Sequence, residues 1–257
     1  MRNTSSSKFS TAAIILTLLL AFFLRTHGLA KQSLRGDEAV TVLYAALPVS
    51  QLWEHSRVTD PHPPLYYLML NPWQRLFGEQ AWVMRFAGVV ASTLAVATLY
   101  RLARQTGLRL AAALLAAALL ALNPLQIWLA QDVRSYPFFT LLGLFSSWAL
   151  WQALHGHQSV AGRRQPLAGS HLRNTQYVIR NPQIKIQNSK FKFTVAWLLY
   201  ICATLACFYI HYYTVFLIAF QGLFVLVNAK KFWPQSWPWL ISQLIIGLLM
   251  IPGLQLA

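Results

Sequence analysis

Long apolar stretches alternate with short polar segments along the whole chain. A helix that crosses a bilayer needs about 20 predominantly apolar residues. Stretches of this kind lie near residues 10–30, 84–103, 110–131, 137–154, 193–211, 213–228 and 239–257. The pattern therefore predicts an all-α, polytopic membrane protein with six or seven transmembrane helices.

The first apolar stretch has a second interpretation. Residues 2–30 combine a basic start, a short apolar run and the small-x-small sequence Gly28-Leu29-Ala30, as a cleaved signal peptide does. An uncleaved first span is favoured because more spans follow it. Both interpretations place Asp37 outside the cytoplasm.

Residues 31–83 form a segment that is too polar to cross a bilayer and too apolar to be disordered. Residues 39–53 and 65–77 mix aromatic, aliphatic and polar residues, as helices lying in a membrane interface do. The segment 60–64 contains three prolines, which lack N–H donors and disfavour helix in the residues before them. We therefore expect a first extracytoplasmic loop with membrane-parallel helices.

Composition agrees with a membrane protein, since 56% of the 257 residues are hydrophobic and only 11% are charged. The net charge of +15 would suit a nucleic-acid partner, but its distribution favours a membrane. With a cytoplasmic N-terminus and alternating spans, 14 of the 21 Lys and Arg residues are cytoplasmic, whereas all six carboxylates lie outside. The expected location is the cell membrane, in multi-pass form, with membrane lipids and no nucleic acid as partners.

Residues 155–192 differ from the rest of the chain in carrying seven Lys or Arg residues and no carboxylate. We interpret them as a basic cytoplasmic insertion with little order. Binding of anionic lipid headgroups is an alternative function for this segment. Cys202 and Cys207 are five residues apart in one apolar stretch and point to different helix faces, so we expect neither a disulfide nor a metal site there.

Two candidate groups lie in the first extracytoplasmic loop. Asp37 and Glu38 are adjacent carboxylates just beyond a span. Asp37 is interpreted as functional. For Glu38, a functional role and a role as helix N-cap are equally favoured. Asp60 and His62 sit in a rigid prolyl segment, where Asp60 could instead cap a helix that starts at the prolines. His62 could be a metal ligand or a hydrogen-bond donor to phosphate.

Two further groups follow outward-directed spans. Arg134 suits phosphate recognition because its guanidinium fork holds two oxygens. The alternative is an Asp132–Arg134 ion pair with Tyr136 as an interfacial aromatic residue. His211 precedes two tyrosines that an aromatic belt alone would explain, and its role is left open. All four groups converge on one membrane face, which predicts an active site for a membrane-bound donor.

Four ordered motifs carry a resemblance to a known family. Leu34–Ala39 (LRGDEA), His62–Tyr67 (HPPLYY), Leu76–Glu79 (LFGE) with Arg85, and Gln131–Tyr136 (QDVRSY) resemble the family-39 glycosyltransferases. That family includes the dolichyl-phosphate-mannose protein mannosyltransferases and the bacterial aminoarabinose transferases of lipid A. The likeness covers about residues 15–230 without the insertion.

The resemblance implies a GT-C fold over residues 1–257 and a polyprenyl-phosphate sugar as the donor substrate. It implies that Asp37, with Glu38 beside it, lies at the active site, and that Asp60 is a second catalytic candidate. Substrate binding would fall to His62, Asp132, Arg134, Tyr136 and His211. No cofactor is firmly implied, and a divalent metal is left open although no metal ligand is assigned.

The sequence thus predicts a glycosyltransferase that moves a sugar from a polyprenyl-phosphate donor to an extracytoplasmic lipid, glycan or protein. The chain is shorter than family members and stops at a predicted span, so we expect an N-terminal portion of such an enzyme. Two alternatives stay open: an inactive truncated remnant, and, less favoured, a transporter. Charged residues clustered at span ends disfavour the transporter, which would need ionisable groups within the membrane.

Overall fold

The computed structural model describes residues 4–58, 63–155 and 182–254, and these contain helices and no strand. Asp60, His62 and residues 156–181 of the predicted insertion lie outside the described residues. The helices are α1 Thr4–Thr26, α2 Gly36–Ala46, α3 Val49–Val58, α4 Leu65–Phe77, α5 Ala81–Gln105, α6 Leu110–Leu122, α7 Pro124–Ala130, α8 Tyr136–His155, α9 Pro182–Phe208, α10 Thr214–Val227, α11 Ala229–Phe232 and α12 Ser236–Leu254. A 3₁₀ turn, Trp233–Gln235, joins the last two.

A helix covers each predicted apolar stretch, but fewer helices qualify as spans than the sequence predicts. By length and apolarity, three described segments could cross a membrane: Phe9–Thr26, Ala81–Gln105 and Ala229–Leu254. The pair α6 and α7, bent by 55° at Asn123, would be a fourth. The apolar parts of α9 and α10 are shorter, so the number of six or seven spans is not confirmed.

The long helices run alternately in opposite directions, which gives the bundle two distinct ends. α5, α8 and α10 begin at the end that carries residues 27–80 and 131–136, here named the loop end. α1, α7, α9 and α12 finish there: the Gln131 amide donates to backbone carbonyls at the end of α1, and the Tyr212 hydroxyl donates to the carbonyl of Gly253. The opposite end, where α5, α8 and α10 finish, is named the basic end.

Three short helices fold over the loop end. The predicted segment 39–53 is two helices, α2 and α3, because Leu47 leaves the helical conformation just before Pro48. The predicted segment 65–77 is α4. The buried Asn71 amide of α4 donates to the carbonyls of Ala45 and Leu47, which caps the end of α2, and the Trp73 indole donates to the carbonyl of Val83. These bonds fix the loop on the bundle.

A buried arginine closes the bend between α6 and α7. The side chain of Arg25 is fully buried, and its guanidinium donates to the Ser92 hydroxyl and to the carbonyls of Ala21, Leu120 and Ala121. The carbonyls of α6 are exposed to this contact because the helix breaks before Pro124. Arg25 therefore joins α1, α5 and α6 without a carboxylate partner in these bonds.

The second half of the bundle has a buried polar network that joins four helices. The Ser146 hydroxyl of α8 lies 2.7 Å from the Thr204 hydroxyl of α9 and accepts a hydrogen bond from the Gln221 amide of α10. The Tyr200 hydroxyl donates to Gln221 and accepts from Gln243 of α12. Since apolar packing between helices is weakly directional in a bilayer, these bonds specify how the four helices align.

Candidate active site

Glu38 anchors the loop end from inside. Its side chain is 1% exposed, and its carboxylate accepts four hydrogen bonds. Arg85 of α5 donates from Nε at 2.8 Å and from Nη2 at 2.6 Å, and the backbone N–H groups of Arg35 and Val133 donate at 2.9 and 3.0 Å. One carboxylate therefore joins the start of α2, the start of α5 and the turn before α8.

Arg85 extends this anchor to the segment after α1. Its remaining guanidinium N–H groups donate to the backbone carbonyls of Leu29, Gln32 and Ser33 at 2.8–3.1 Å. The resulting ion pair is buried on both sides, since Arg85 is 4% exposed. The chain entering α2 is thereby held in one conformation.

The pKa of Glu38 reflects these contacts. Burial alone would raise it, but the hydrogen bonds from Arg85, Arg35 and Val133 outweigh burial and lower the pKa to about 2. Glu38 is therefore ionised at neutral pH, with both carboxylate oxygens engaged in hydrogen bonds. This geometry favours the capping interpretation of Glu38 and makes it a poor proton acceptor, although its predicted catalytic role stays a prediction.

Asp37 points the other way. Its side chain is 78% exposed, and its Oδ2 lies 3.4 Å from Nη2 of Arg134, whose side chain is 33% exposed. Among the described residues, Arg134 thus forms a salt bridge with Asp37 and not with Asp132. Adjacent residues of α2 therefore have different roles, because Glu38 lies in the interior while Asp37 stands at the surface beside a cation.

Asp132 lies between the anchor and the surface. Burial raises its pKa, and the neighbouring negative charge of Glu38 raises it further, whereas Arg134 and Arg35 lower it to a smaller extent. The net direction is upward, so Asp132 holds a proton more tightly than an isolated aspartate. The carboxylate that forms the ion pair with Arg134 in the structure is that of Asp37.

A narrow cleft opens beside Arg134. The cleft has an accessible volume of about 20 Å³, which is enough for roughly one water molecule. The N–H of Leu65 donates to the carbonyl of Tyr209, which brings the start of α4 against the turn before α10. The described residues that line the cleft come from α2, from α4 and the residue Pro63 before it, from the turn before α8 and the first residue of α8, and from the turn before α10: Thr41, Pro63, Tyr66, Tyr67, Arg134, Ser135, Tyr136 and Ile210.

His211 lies behind the cleft wall. Its ring centroid is 5.7 Å from that of Tyr136, 5.5 Å from Phe139 and 4.4 Å from Tyr213, and its Nδ1 accepts a hydrogen bond from the Tyr213 N–H. The histidine therefore supports Tyr136 and does not itself line the cleft.

The structure brings six of the eight predicted site residues to one end of the bundle. Asp37, Arg134 and Tyr136 are at the surface or in the cleft, His211 packs behind them, and Glu38 with Asp132 lies beneath. The other two, Asp60 and His62, are outside the described residues, although Pro63, the residue that follows them, lines the cleft.

Two tyrosines of the cleft, Tyr66 and Tyr67, were not predicted as site residues from the sequence. Tyr66 and Tyr67 are 6% and 7% exposed, and burial raises the pKa of Tyr66 well above its ordinary value, so its hydroxyl stays protonated. The motif HPPLYY contained both residues, but no local pattern distinguishes a tyrosine that lines a cleft from one in an aromatic belt. Arg85 was also missed as the partner of Glu38, since 47 residues separate them.

A metal site is not formed by the described residues alone, since they contain no group of three or more His, Cys, Asp or Glu side chains able to hold an ion. Asp60 and His62 are not among the residues so described. The binding of a divalent metal, which the sequence left open, therefore stays open.

Comparison with known proteins gives one family match. The model of the family described as dolichyl-phosphate-mannose-protein mannosyltransferase matches residues 61–162. The matched region contains α4, α5, Arg85 and the Gln131–Tyr136 motif, whereas Asp37, Glu38 and His211 lie outside it. No curated protein matches the chain. The match covers less than half of the chain. With the all-helical apolar fold, it supports a membrane protein that is similar to the glycosyltransferases of this family over residues 61–162.

Proposed function

We propose that this chain transfers a sugar from a polyprenyl-phosphate donor to an extracytoplasmic acceptor at the cleft beside Arg134. The observation that carries the proposal is the Asp37–Arg134 pair, an exposed carboxylate and a guanidinium fork next to a cleft at one end of an apolar bundle. A lipid-linked donor presents its sugar phosphate at that depth, where the bundle meets water.

The reaction needs a base and an anion-binding group. The acceptor hydroxyl oxygen attacks the anomeric carbon of the sugar as the bond from that carbon to the phosphate oxygen breaks. Asp37 takes the proton of the hydroxyl, and the electron pair of the broken bond leaves with the polyprenyl phosphate. Arg134 donates to the phosphate oxygens, on which negative charge increases.

The geometry of the Asp37–Arg134 pair allows Arg134 to exchange the carboxylate for a phosphate. At 3.4 Å and with both side chains partly or largely exposed, the Asp37–Arg134 salt bridge contributes little to stability. A phosphate can therefore replace Asp37 as the partner of Arg134 at low cost, which frees the carboxylate to accept a proton. The Glu38–Arg85 pair is buried and cannot exchange partners in this way.

An apolar cavity next to the cleft offers room for the prenyl chain. It has about 250 Å³ of open space between α4, α5 and α8. Phe138 lines it and also contacts Tyr66 of the cleft, with ring centroids 5.6 Å apart. The cavity is lined by Met69, Leu70, Trp73, Ala87, Val90, Ala91, Leu94, Phe138, Leu141 and Leu142.

The roles of the two residues outside the described part follow from their chemistry. Asp60 would position the acceptor, and His62 would donate a hydrogen bond to the phosphate. His211 and Tyr136 would hold the shape of the donor side of the cleft, since their rings are in contact. Asp132, whose pKa is raised chiefly by burial, would help to position the substrate beside Arg134.

The proposal is tested in cells with and without this gene by mass spectrometry of polyprenyl-phosphate sugars and surface glycans. Loss of the gene should raise one lipid-linked sugar and remove the same sugar from one class of acceptor, and the wild-type chain should restore both. Unchanged lipid-linked sugars and glycans would refute the proposal and favour the inactive remnant.

A further inference from the structure

The basic end of the bundle, opposite the candidate active site, has an apolar groove. It lies between α5, α8 and α10 and has about 170 Å³ of open space. Phe220 is 66% exposed at its margin, so the groove opens sideways, where lipid would surround the bundle. Leu102 of α5, Leu150 and Trp151 of α8, and Phe224 of α10 are among the residues that line it.

A cation and three aromatic rings lie at the mouth of this groove. Nζ of Lys231 is 5.9 Å from the centroid of the Trp151 ring and 5.3 Å from that of Phe232. The ring of His155 stacks on Trp151 with centroids 4.0 Å apart. Since Trp151 also lines the groove, the ammonium group and the apolar groove are directly adjacent.

The carboxylates of the described chain lie at one end of the bundle, whereas cations lie at both ends. The described carboxylates, those of Asp37, Glu38, Glu54, Glu79 and Asp132, belong to the loop end, whereas the basic end carries Arg101, Arg104, Arg109, Lys230 and Lys231. α8 alone, with 20 residues, separates the two ends by about 30 Å. Among the described residues, Lys231 therefore has no carboxylate at its own end of the bundle.

We propose that the groove binds one anionic glycerophospholipid, with its phosphate at Lys231 and an acyl chain between α5, α8 and α10. A lysine next to an apolar groove favours a ligand that joins a phosphate to a hydrocarbon chain. The excess of cations at this end favours a lipid with net negative charge over a zwitterionic one. Trp151 suits the boundary between headgroup and chain, where indole rings are enriched. This site is separate from the cleft at the loop end.

The test uses the full-length chain in detergent, mixed with phosphatidylglycerol and examined by native mass spectrometry. The wild-type chain should retain one phosphatidylglycerol molecule, and Lys231→Gln should bind it about fivefold more weakly, as expected for one basic group near a lipid headgroup. Lys230→Gln is the matched control, because it removes the same charge one residue away without a recorded contact to Trp151, and its affinity should stay within about twofold of wild type.

A second variant tests the groove independently of charge. Leu102→Trp puts a larger side chain on the groove wall and should also weaken retention, provided that the variant elutes as a folded monodisperse protein. Equal retention of phosphatidylcholine, or equal loss in Lys230→Gln and Lys231→Gln, would overturn the proposal. Displacement of phosphatidylglycerol by an equimolar polyprenyl phosphate would overturn it as well, because the groove would then be a prenyl-phosphate site.

Discussion

Replacing Glu38 by glutamine removes the charge of the anchor while keeping its size. The carboxylate accepts two hydrogen bonds from Arg85 and one each from the N–H groups of Arg35 and Val133. A glutamine has one acceptor oxygen, and its NH₂ group would face donors that already point at this position. Glu38→Gln therefore leaves a buried guanidinium without its counter-ion and at least one backbone donor without an acceptor.

The expected loss of stability follows from two independent arguments. Removing one partner of a buried ion pair lowers the free energy of unfolding by about 3–5 kcal/mol. A carboxyl whose pKa falls from 4.5 to about 2 on folding contributes about 3 kcal/mol at neutral pH. Because the folded pKa is the lower one, this contribution is present above about pH 4.5 and is lost as the pH falls toward 2.

Reversible unfolding in mixed micelles, followed by tryptophan fluorescence, measures this difference. The free energy of unfolding of Glu38→Gln should be about 3 kcal/mol below wild type at neutral pH, and the difference should shrink as the pH falls below about 4.5. Asp37→Asn is the control, since its exposed salt bridge should contribute less than about 1 kcal/mol. Equal stability of Glu38→Gln and wild type at neutral pH would refute the anchor.

Three further predictions concern charge placement. Arg25→Lys should lower the unfolding free energy by about 2 kcal/mol or more in the same assay, because an ammonium group cannot reach all four acceptors of the guanidinium; a loss below about 0.5 kcal/mol would contradict this. Asp132→Asn should gain stability relative to wild type as the pH rises, because the raised pKa of Asp132 means that its ionisation opposes folding; a pH-independent difference would argue against it. Cysteines placed at Gly36 and Thr106 should be labelled by an impermeant reagent in intact cells only at Gly36, and labelling only at Thr106 would reverse the topology.

The helical part of the fold was accessible to sequence reasoning because apolar stretches of near-spanning length leave few alternatives to a helix in a bilayer. The number of spans could not be predicted in this way, since α9 and α10 have short apolar parts and α6 and α7 bend at Asn123. The division of residues 39–53 into α2 and α3 depends on Pro48, whose local effect the pattern of apolar residues did not show.

The candidate site was only partly accessible for a different reason. Alternating helices necessarily bring Asp37, Arg134 and His211 to one end, so the topology predicted their shared location. Whether Asp37 or Glu38 faces inward depends on Arg85, which is distant in sequence, and no local rule selects that partner. The same holds for Arg134, which forms a salt bridge with Asp37 in the structure, whereas Asp132 is the nearer carboxylate in the sequence.

The central claim is that Asp37 acts in sugar transfer at the loop end. The most direct measurement is the release of polyprenyl phosphate from a polyprenyl-phosphate sugar by the purified chain in proteoliposomes supplied with acceptor-containing membrane extract from cells that lack the gene. It compares wild type with Asp37→Asn and uses Glu54→Gln as a control for an exposed carboxylate at the same end. The account predicts release by wild type, nearly equal release by Glu54→Gln, and a rate lower by about 10²–10⁴-fold in Asp37→Asn with unchanged folding. Release by Asp37→Asn at the wild-type rate, or no release by folded wild-type protein, would contradict it.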